Sequence, residues 1–207
     1  MENTLFIVDD HSIVRFGLKD WLEANTKWKV TKVCSSSSEC LEELNRLEPF
    51  YQPEIIIIDV QLIGETGFSL CKKITEKYKR IKCVMYSMYD TPGYILQAKD
   101  SNAKGYVSKV SSEKELEKCL EVVKAGGIYL EEKMIQAQAK LENVALILSK
   151  QERLIFELLL QSKTNEQISD ELFISLRTVE NHVSRIYDKL DIKKRSDLLE
   201  KFGKYTE

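Results

Sequence analysis

The sequence predicts an α/β fold, a doubly wound five-stranded parallel sheet, followed by a second, all-α domain that contains a helix-turn-helix. Three observations carry this expectation. Four consecutive isoleucines, Ile55 to Ile58, read as a strand buried on both faces, as parallel strands under helices are. Strand-like runs and helical periodicities alternate through the first part of the chain. After Gly127 the strand pattern stops and helical spacing takes over.

Thr4-Leu5-Phe6-Ile7-Val8 is the first strand, and Val14, Leu18, Trp21 and Leu22 recur at the spacing of a first helix. Residues 29–34 then read as strand and residues 38–47 as helix. Residues 54–59 form the third strand, Gly64 and Gly67 shape the loop beyond it, and residues 68–78 are helical. Residues 82–87 are the fourth strand, 91–101 a helix, and 105–108 a short fifth strand. Ser112-x-x-Glu115 has the form of a capping box, in which a hydroxyl and a carboxylate each satisfy the other's backbone N–H. The helix that it opens stops at Gly126-Gly127. Five such βα units imply right-handed crossovers and a sheet covered on both faces.

Residues 131–144 are charged and weakly periodic, and suit a connecting helix and a mobile linker equally. The expected division is therefore a domain over 1–127, a linker over 128–147 and a domain over 148–207. In the last of these, Ser149-x-x-Glu152 and Thr164-x-x-Gln167 are capping boxes for helices that run through Gln161 and Leu172. Phe173-Ile174-Ser175 makes a turn, residues 176–190 form a longer helix, and residues 196–202 a final one.

A formal net charge of −2 excludes a generally adhesive polyanion binder, because phosphate-backbone affinity needs clustered Lys and Arg. The segment from Ser149 onward is neutral, with 11 basic and 11 acidic residues, yet it holds a compact basic group, Lys189, Lys193, Lys194 and Arg195. No apolar stretch approaches the length that crosses a bilayer, and the N-terminal residues lack a signal-peptide pattern. The cysteines at 34, 40, 71, 83 and 119 are odd in number and form no C-x-x-C pair, as suits small core residues in a reducing compartment. A cytoplasmic protein without a membrane partner is expected.

The predicted strands deliver Asp9-Asp10, Asp59, Ser87 and Lys109 to one carboxyl edge, where open α/β sheets place their chemistry. Clustered carboxylates repel, so they share protons or bind a hard cation, and Mg²⁺ suits oxygen ligands that meet a phosphate. Ionised, the three acids carry about −3, which Lys109 and a divalent ion roughly balance. A carboxylate so placed can act as a nucleophile toward phosphorus and form an acyl phosphate. Asp59, held at the end of the isoleucine strand, is the chosen nucleophile. Taken singly, these residues have plainer roles: an Asp pair caps helices, Tyr106 fills a core, and Ser87 and Lys109 sit in loops.

Asp9-Asp10-His11, Asp59, Ser87-Met88-Tyr89-Asp90 and Lys104-Gly105-Tyr106-Val107-Ser108-Lys109 together resemble the receiver domain of a two-component response regulator over roughly residues 1–127. That resemblance implies a flavodoxin-like fold in which Asp59 accepts phosphate from a sensor histidine kinase. It implies that Asp10, Asp59 and the backbone carbonyl of Gln61 hold Mg²⁺, with Asp9 acting mainly through water. Lys109 would contact the phosphoryl group, and Ser87 and Tyr106 would form the switch pair. Ile63 departs from the proline that many receivers carry.

The segment 148–199 contains Leu148-Ser149-x-x-Glu152, Thr164-Asn165-x-x-Ile168, Ser175-x-x-Thr178-Val179-x-x-His182 and Lys189-Leu190, and resembles the LuxR-type helix-turn-helix of NarL/FixJ-type regulators. On physical grounds, a short capped helix, a tight turn and a longer polar-faced helix form a unit whose second helix enters the major groove. Val179, Val183, Ile186 and Leu190 should face inward, leaving Arg177, Glu180, Asn181, Ser184 and Arg185 toward DNA. Thr178 stands in the same motif, and His182 is equally a structural donor and a DNA contact. Asn181 suits adenine, Arg185 guanine or phosphate, and Glu180 cytosine. Lys163, Lys189, Lys193, Lys194 and Arg195 are the expected backbone contacts.

The expectation is a DNA-binding regulator, controlled by Mg²⁺-dependent phosphorylation of Asp59 and not a conventional turnover enzyme. It would bind a double-stranded operator as a homodimer when phosphorylated, because so few exposed cations give modest affinity per subunit. The pairing surface is sought on the first or last receiver helix, or on the final helix near Leu198 and Leu199. Two alternatives stand beside it. An aspartyl-nucleophile phosphatase of the haloacid dehalogenase type would carry a second acid at Gln61. A phospho-regulated adaptor would bind protein or RNA through the helical tail.

Overall fold

The computed structural model describes residues 3–89, 92–132, 135, 144 and 147–202. The chain divides into two compact units, one built on a sheet and one helical. Through residue 130 the elements in chain order are β1 (Asn3–Val8), α1 (Ser12–Asn25), β2 (Trp28–Cys34), α2 (Ser37–Arg46), β3 (Ile55–Ile58), β4 (Gln61–Leu62), β5 (Glu65–Thr66), α3 (Gly67–Lys77), β6 (Lys82–Ser87), α4 (Pro92–Asp100), β7 (Gly105–Ser108), α5 (Glu113–Lys124) and β8 (Tyr129–Leu130). The sheet order is β2-β1-β3-β6-β7-β8 and every pairing is parallel. The chain winds from β1 to one edge, then crosses back to β3 and on to the other, so the expected doubly wound topology holds.

Strand alternation divides the core. Leu5, Ile7, Ile55, Ile57 and Val84 pack with Leu18 and Leu22 of α1 and with Leu116, Leu120 and Val123 of α5. Phe6, Val8, Ile56 and Ile58, the intervening residues, point to the opposite face and are equally buried. With both faces covered, no polar residue interrupts β3.

The sheet has six strands where five were expected. After α5, Gly126 takes φ +92, a left-handed conformation open to glycine, and turns the chain back. The Tyr129 N–H then reaches the Lys104 carbonyl at 2.8 Å and starts β8 beside β7. Two residues are too short to display a strand's alternation, which is why the pattern missed them. The capping box expected at Ser112 is also corrected. Ser112 is the N-cap, but its side chain makes no cap hydrogen bond, and Glu115 instead accepts the Tyr129 hydroxyl from the added strand. A further feature without a sequence signal is the antiparallel pair β4–β5 around Gly64.

The helical unit comprises α6 (Lys150–Leu160), α7 (Asn165–Leu172), α8 (Leu176–Leu190) and α9 (Arg195–Phe202). Both of its expected capping boxes are complete, Ser149 with Glu152 and Thr164 with Gln167. Phe173 closes α7 in the left-handed conformation, and the Ser175 hydroxyl caps α8. Ile155, Leu159, Ile168, Val179, Ile186 and Leu198 form its core. Leu198 is fully buried and Leu199 packs against the same core, so these two leucines help hold the unit together. Most of the segment 132–147, and with it the choice between helix and mobile linker, lies outside the described residues.

Glu152 ties the unit together. Its carboxylate accepts the Ser149 N–H and the Lys189 ammonium, both at 2.7 Å, and so joins α6 to α8. The Lys189 ammonium and the Ser149 N–H hold this carboxyl down at about 2. Its contribution is therefore complete above the ordinary carboxylate range and is lost as pH falls from there toward 2. Glu152→Ala is predicted to lower the unfolding free energy of this unit by about 2 kcal/mol at neutral pH. Urea titrations at neutral and acidic pH would check this, the wild type losing more stability on acidification than the variant.

Candidate functional site

Three of the candidate side chains are set in place by backbone hydrogen bonds that continue the sheet beyond its strand ends. The Asp9 N–H reaches the Cys34 carbonyl at 3.2 Å, the Asp59 N–H the Val8 carbonyl at 2.8 Å, and the Lys109 N–H the Ser87 carbonyl at 2.7 Å. Gly67 completes the frame. A Cβ at that position would stand 1.9 Å from the Asp59 carbonyl oxygen, so only glycine lets α3 start this close to the acid.

The Lys109 ammonium lies 2.7 Å from Asp59 Oδ2 and 2.7 Å from Asp9 Oδ2. Asp9 and Asp59 are both buried. Burial is the largest influence on Asp59 and, with Asp9 nearby, holds its carboxyl above the ordinary range against the opposing Lys109 ammonium and Gln61 N–H. Burial would lower Lys109, but its hydrogen bonds to Asp59 and Asp9 prevail and raise it. The ammonium is thus firmly protonated. Asp9 Oδ1 accepts the His11 N–H at 2.8 Å, and Arg15, which sequence reasoning passed over, donates to the Asp9 carbonyl.

Among the described residues, ligand atoms of Asp9, Asp10, His11 and Asp59 all lie within 4.8 Å of one another. Asp10 Oδ1 is shielded from solvent and accepts no hydrogen bond, although His11 Nδ1 stands 2.7 Å away. A solvent-shielded carboxylate oxygen that makes no hydrogen bond, beside two more carboxylates and one lysine, fits a hard divalent cation.

Ser87, at the end of β6, and Tyr106, in β7, are both fully buried. The Ser87 hydroxyl accepts the Tyr89 N–H at 3.1 Å, and the Tyr106 hydroxyl donates to the Tyr89 carbonyl at 2.6 Å. The expected switch pair is therefore joined through one peptide residue, which the sequence did not reveal. Asp90, part of the same sequence stretch, lies outside the described residues.

On α8, Arg177, Glu180, Asn181, Ser184 and Arg185 are exposed and Val179 and Ile186 buried, as the spacing requires. Thr178 is half-buried beside the Ser175 cap, its hydroxyl 2.8 Å from that of Ser175. His182 is also half-buried, and its Nδ1 makes no hydrogen bond. The expected basic group divides. Lys189 pairs with Glu152, Lys163 with Glu171, and Arg195 donates to the Lys163 and Leu159 carbonyls. Lys193 and Lys194 are exposed, Lys194 3.8 Å from Asp197. Three of the five expected backbone contacts are thus engaged within the unit.

Comparison with known proteins places both units. The pattern of the response regulator receiver domain matches residues 5–121, and that of the bacterial regulatory proteins of the luxR family matches residues 146–202. The DNA-binding transcriptional activator DevR/DosR of Mycobacterium tuberculosis is 32% identical over 199 residues, 93% of this chain and 90% of its own. The oxygen regulatory protein NreC of Staphylococcus carnosus is 28% identical and covers 95% of this chain and 94% of its own. Among solved structures, the two-component response regulator RcsB in complex with DNA superposes with a TM-score of 0.73 at 22% identity, covering 97% of each chain.

Two variants test the geometry. Gly67→Ala is predicted to cost about 1–3 kcal/mol of stability, because backbone stands where the methyl group must go. Lys109→Met removes the cation from between two buried acids, so Asp59 should titrate at higher pH than in the wild type. Carbon-detected NMR titration of the aspartate carboxyls would read this, and an unchanged or lower value would contradict the bridge.

Proposed function

As this chain belongs to the two-component response regulators of the NarL/FixJ type, a receiver domain joined to a LuxR-family helix-turn-helix, we propose that Asp59 is its phosphoryl acceptor and that this modification controls operator binding. The protein is a DNA-binding transcription regulator whose receiver implies a sensor histidine kinase as donor. The single observation that carries the assignment of Asp59 is its meeting with Asp9 and Lys109 at the carboxyl edge of the sheet, beside Asp10.

An Asp59 carboxylate oxygen would attack phosphorus while the bond from phosphorus to the donor's histidine nitrogen breaks and that nitrogen leaves with the electron pair. Lys109 stands where its charge would offset the oxygens of the transferred group. Asp9, Asp10, Asp59 and the Gln61 carbonyl would hold Mg²⁺, which when bound supplies positive charge against the phosphoryl oxygens. Hydrolysis of the acyl phosphate at the same rim would reset the protein. Five free, buried cysteines support a reducing cytoplasmic setting. Among the described residues, no helix is long and apolar enough to cross a membrane.

For DNA, the exposed face of α8 supplies Arg177, Glu180, Asn181, Ser184 and Arg185, with Lys193 and Lys194 for the phosphates. So few cations imply modest affinity for one copy and favour a phosphorylated homodimer on two half-sites. Ile13 and Phe16, exposed on α1, offer apolar area for pairing.

Incubation with acetyl phosphate and Mg²⁺ should label the wild type and leave Asp59→Ala unlabelled; equal labelling would end this assignment. Asn181→Ala should weaken operator binding by about 1–3 kcal/mol with relaxed sequence preference, whereas Lys193→Ala should weaken all sequences alike and flatten the salt dependence. Binding titrations at several salt concentrations separate the two.

A further inference from the structure

Directly behind Lys109 lies a carboxylate that phosphoryl transfer does not use. Glu131 follows β8 and is only 6% exposed. Its Oε1 accepts the Ser108 N–H at 2.6 Å and its Oε2 accepts the Ser111 hydroxyl at 2.7 Å. One side chain thus grips the loop on both sides of Lys109. The loop is further tied by the Lys109 N–H to the Ser87 carbonyl, and closed by the Ser111 N–H to the Ser108 carbonyl at 3.0 Å. A buried carboxylate is tolerated only when it is well hydrogen-bonded, and these bonds fix the loop in one place in return.

We propose that Glu131 is the positioning residue that sets where the Lys109 ammonium stands at the rim, an inference that rests on Asp59 being the phosphoryl acceptor. Lys109 meets two carboxylates at 2.7 Å, and such a bridge tolerates little displacement of the backbone that carries it. Charge offset at a transferring phosphoryl group falls steeply when the cation is misplaced. Glu131 also occupies a particular point in the chain. It is the first residue after β8, the last strand of the sheet. The carboxylate that steadies Lys109 therefore sits where the chain leaves the sheet, so a shift of the Lys109 loop on phosphorylation is passed to the start of the connecting segment through a covalent bond.

The test uses the full-length protein and the variants Glu131→Ala, Glu131→Gln and Ser111→Ala. Two readouts are followed, the rate of labelling by acetyl phosphate with Mg²⁺ and hydrogen exchange of the amides from Ser108 to Ser111. Glutamine keeps an oxygen for the Ser108 N–H and an amide that can donate to the Ser111 hydroxyl, but carries no charge. Glu131→Ala should accelerate exchange at Ser108 and slow labelling about tenfold, as loss of an outer partner does at comparable sites. Glu131→Gln should stay close to the wild type in both. Ser111→Ala, a smaller change that keeps the protein measurable should Glu131→Ala fail to fold, should slow labelling by less. Faster exchange with labelling at the wild-type rate, in either alanine variant, would overturn the proposal, as would a glutamine variant as slow as Glu131→Ala. A wild type that takes no label would instead overturn the assignment of Asp59, and the two failures are separable because the exchange measurement needs no phosphoryl donor.

Discussion

Lys109 bridges Asp9 and Asp59 at 2.7 Å on either side, and the remaining features of the sheet unit serve to keep that bridge in place. Two carboxylates about 4 Å apart repel by roughly 4 kcal/mol at an effective dielectric near 20, and burial adds the cost of removing each charge from water. A cluster of this kind weakens a fold unless stability comes from elsewhere. Here it comes from the strands that carry the acids. All four isoleucines of β3 are buried, each contributing about 1.5–3 kcal/mol on leaving water. The direction of Asp59 shows the balance: even with the ammonium in contact, burial prevails and its carboxyl is raised.

Much of this was legible in the sequence because the relevant signals are local. A run of β-branched residues marks a central parallel strand, and the residue after it must lie at the carboxyl edge. Asp59 follows from that rule, and Asp9, Ser87 and Lys109 from the less regular strand-like runs that lead to them. The capping boxes at Ser149 and Thr164 are likewise read from a spacing of three, and both formed. What escaped depends on partners distant along the chain. Ser112 has the same spacing to Glu115, yet that carboxylate is drawn to Tyr129, 14 residues away. Glu131 reads as one more charge in a polar segment, and only the return of the chain beside β7 shows that it is buried. No pattern announces a two-residue strand.

The helical unit shows the same division. Helical spacing alone assigned the inward face of α8, and the burial of Val179, Ile186 and Leu190 agrees. Composition suggested five cations for phosphates, but Lys189 meets Glu152 across 37 residues and Arg195 meets carbonyls more than 30 residues earlier. Ion pairs that close a small core are long-range by nature, so a count of basic residues overstates the charge available to DNA. With Glu180 on the exposed face as well, discrimination among sequences would rest on hydrogen bonds to base edges more than on attraction to phosphates.

Ser87 and Tyr106 bear on how a local change at the rim could reach the surface. Both hold Tyr89, the serine through its N–H and the tyrosine through its carbonyl. A Ser87 hydroxyl that turned toward a group on Asp59 would give up its hydrogen bond from the Tyr89 N–H. The Tyr89 N–H belongs to the peptide plane before its Cα and the carbonyl to the plane after it, so the change would reach the Tyr106 hydroxyl only through the φ and ψ angles of Tyr89. The two side chains share one backbone residue and are coupled through its dihedral angles. Such shared dependence favours two discrete arrangements over a graded series, and a modification at Asp59 need only favour one of them by its differential interaction to shift the population.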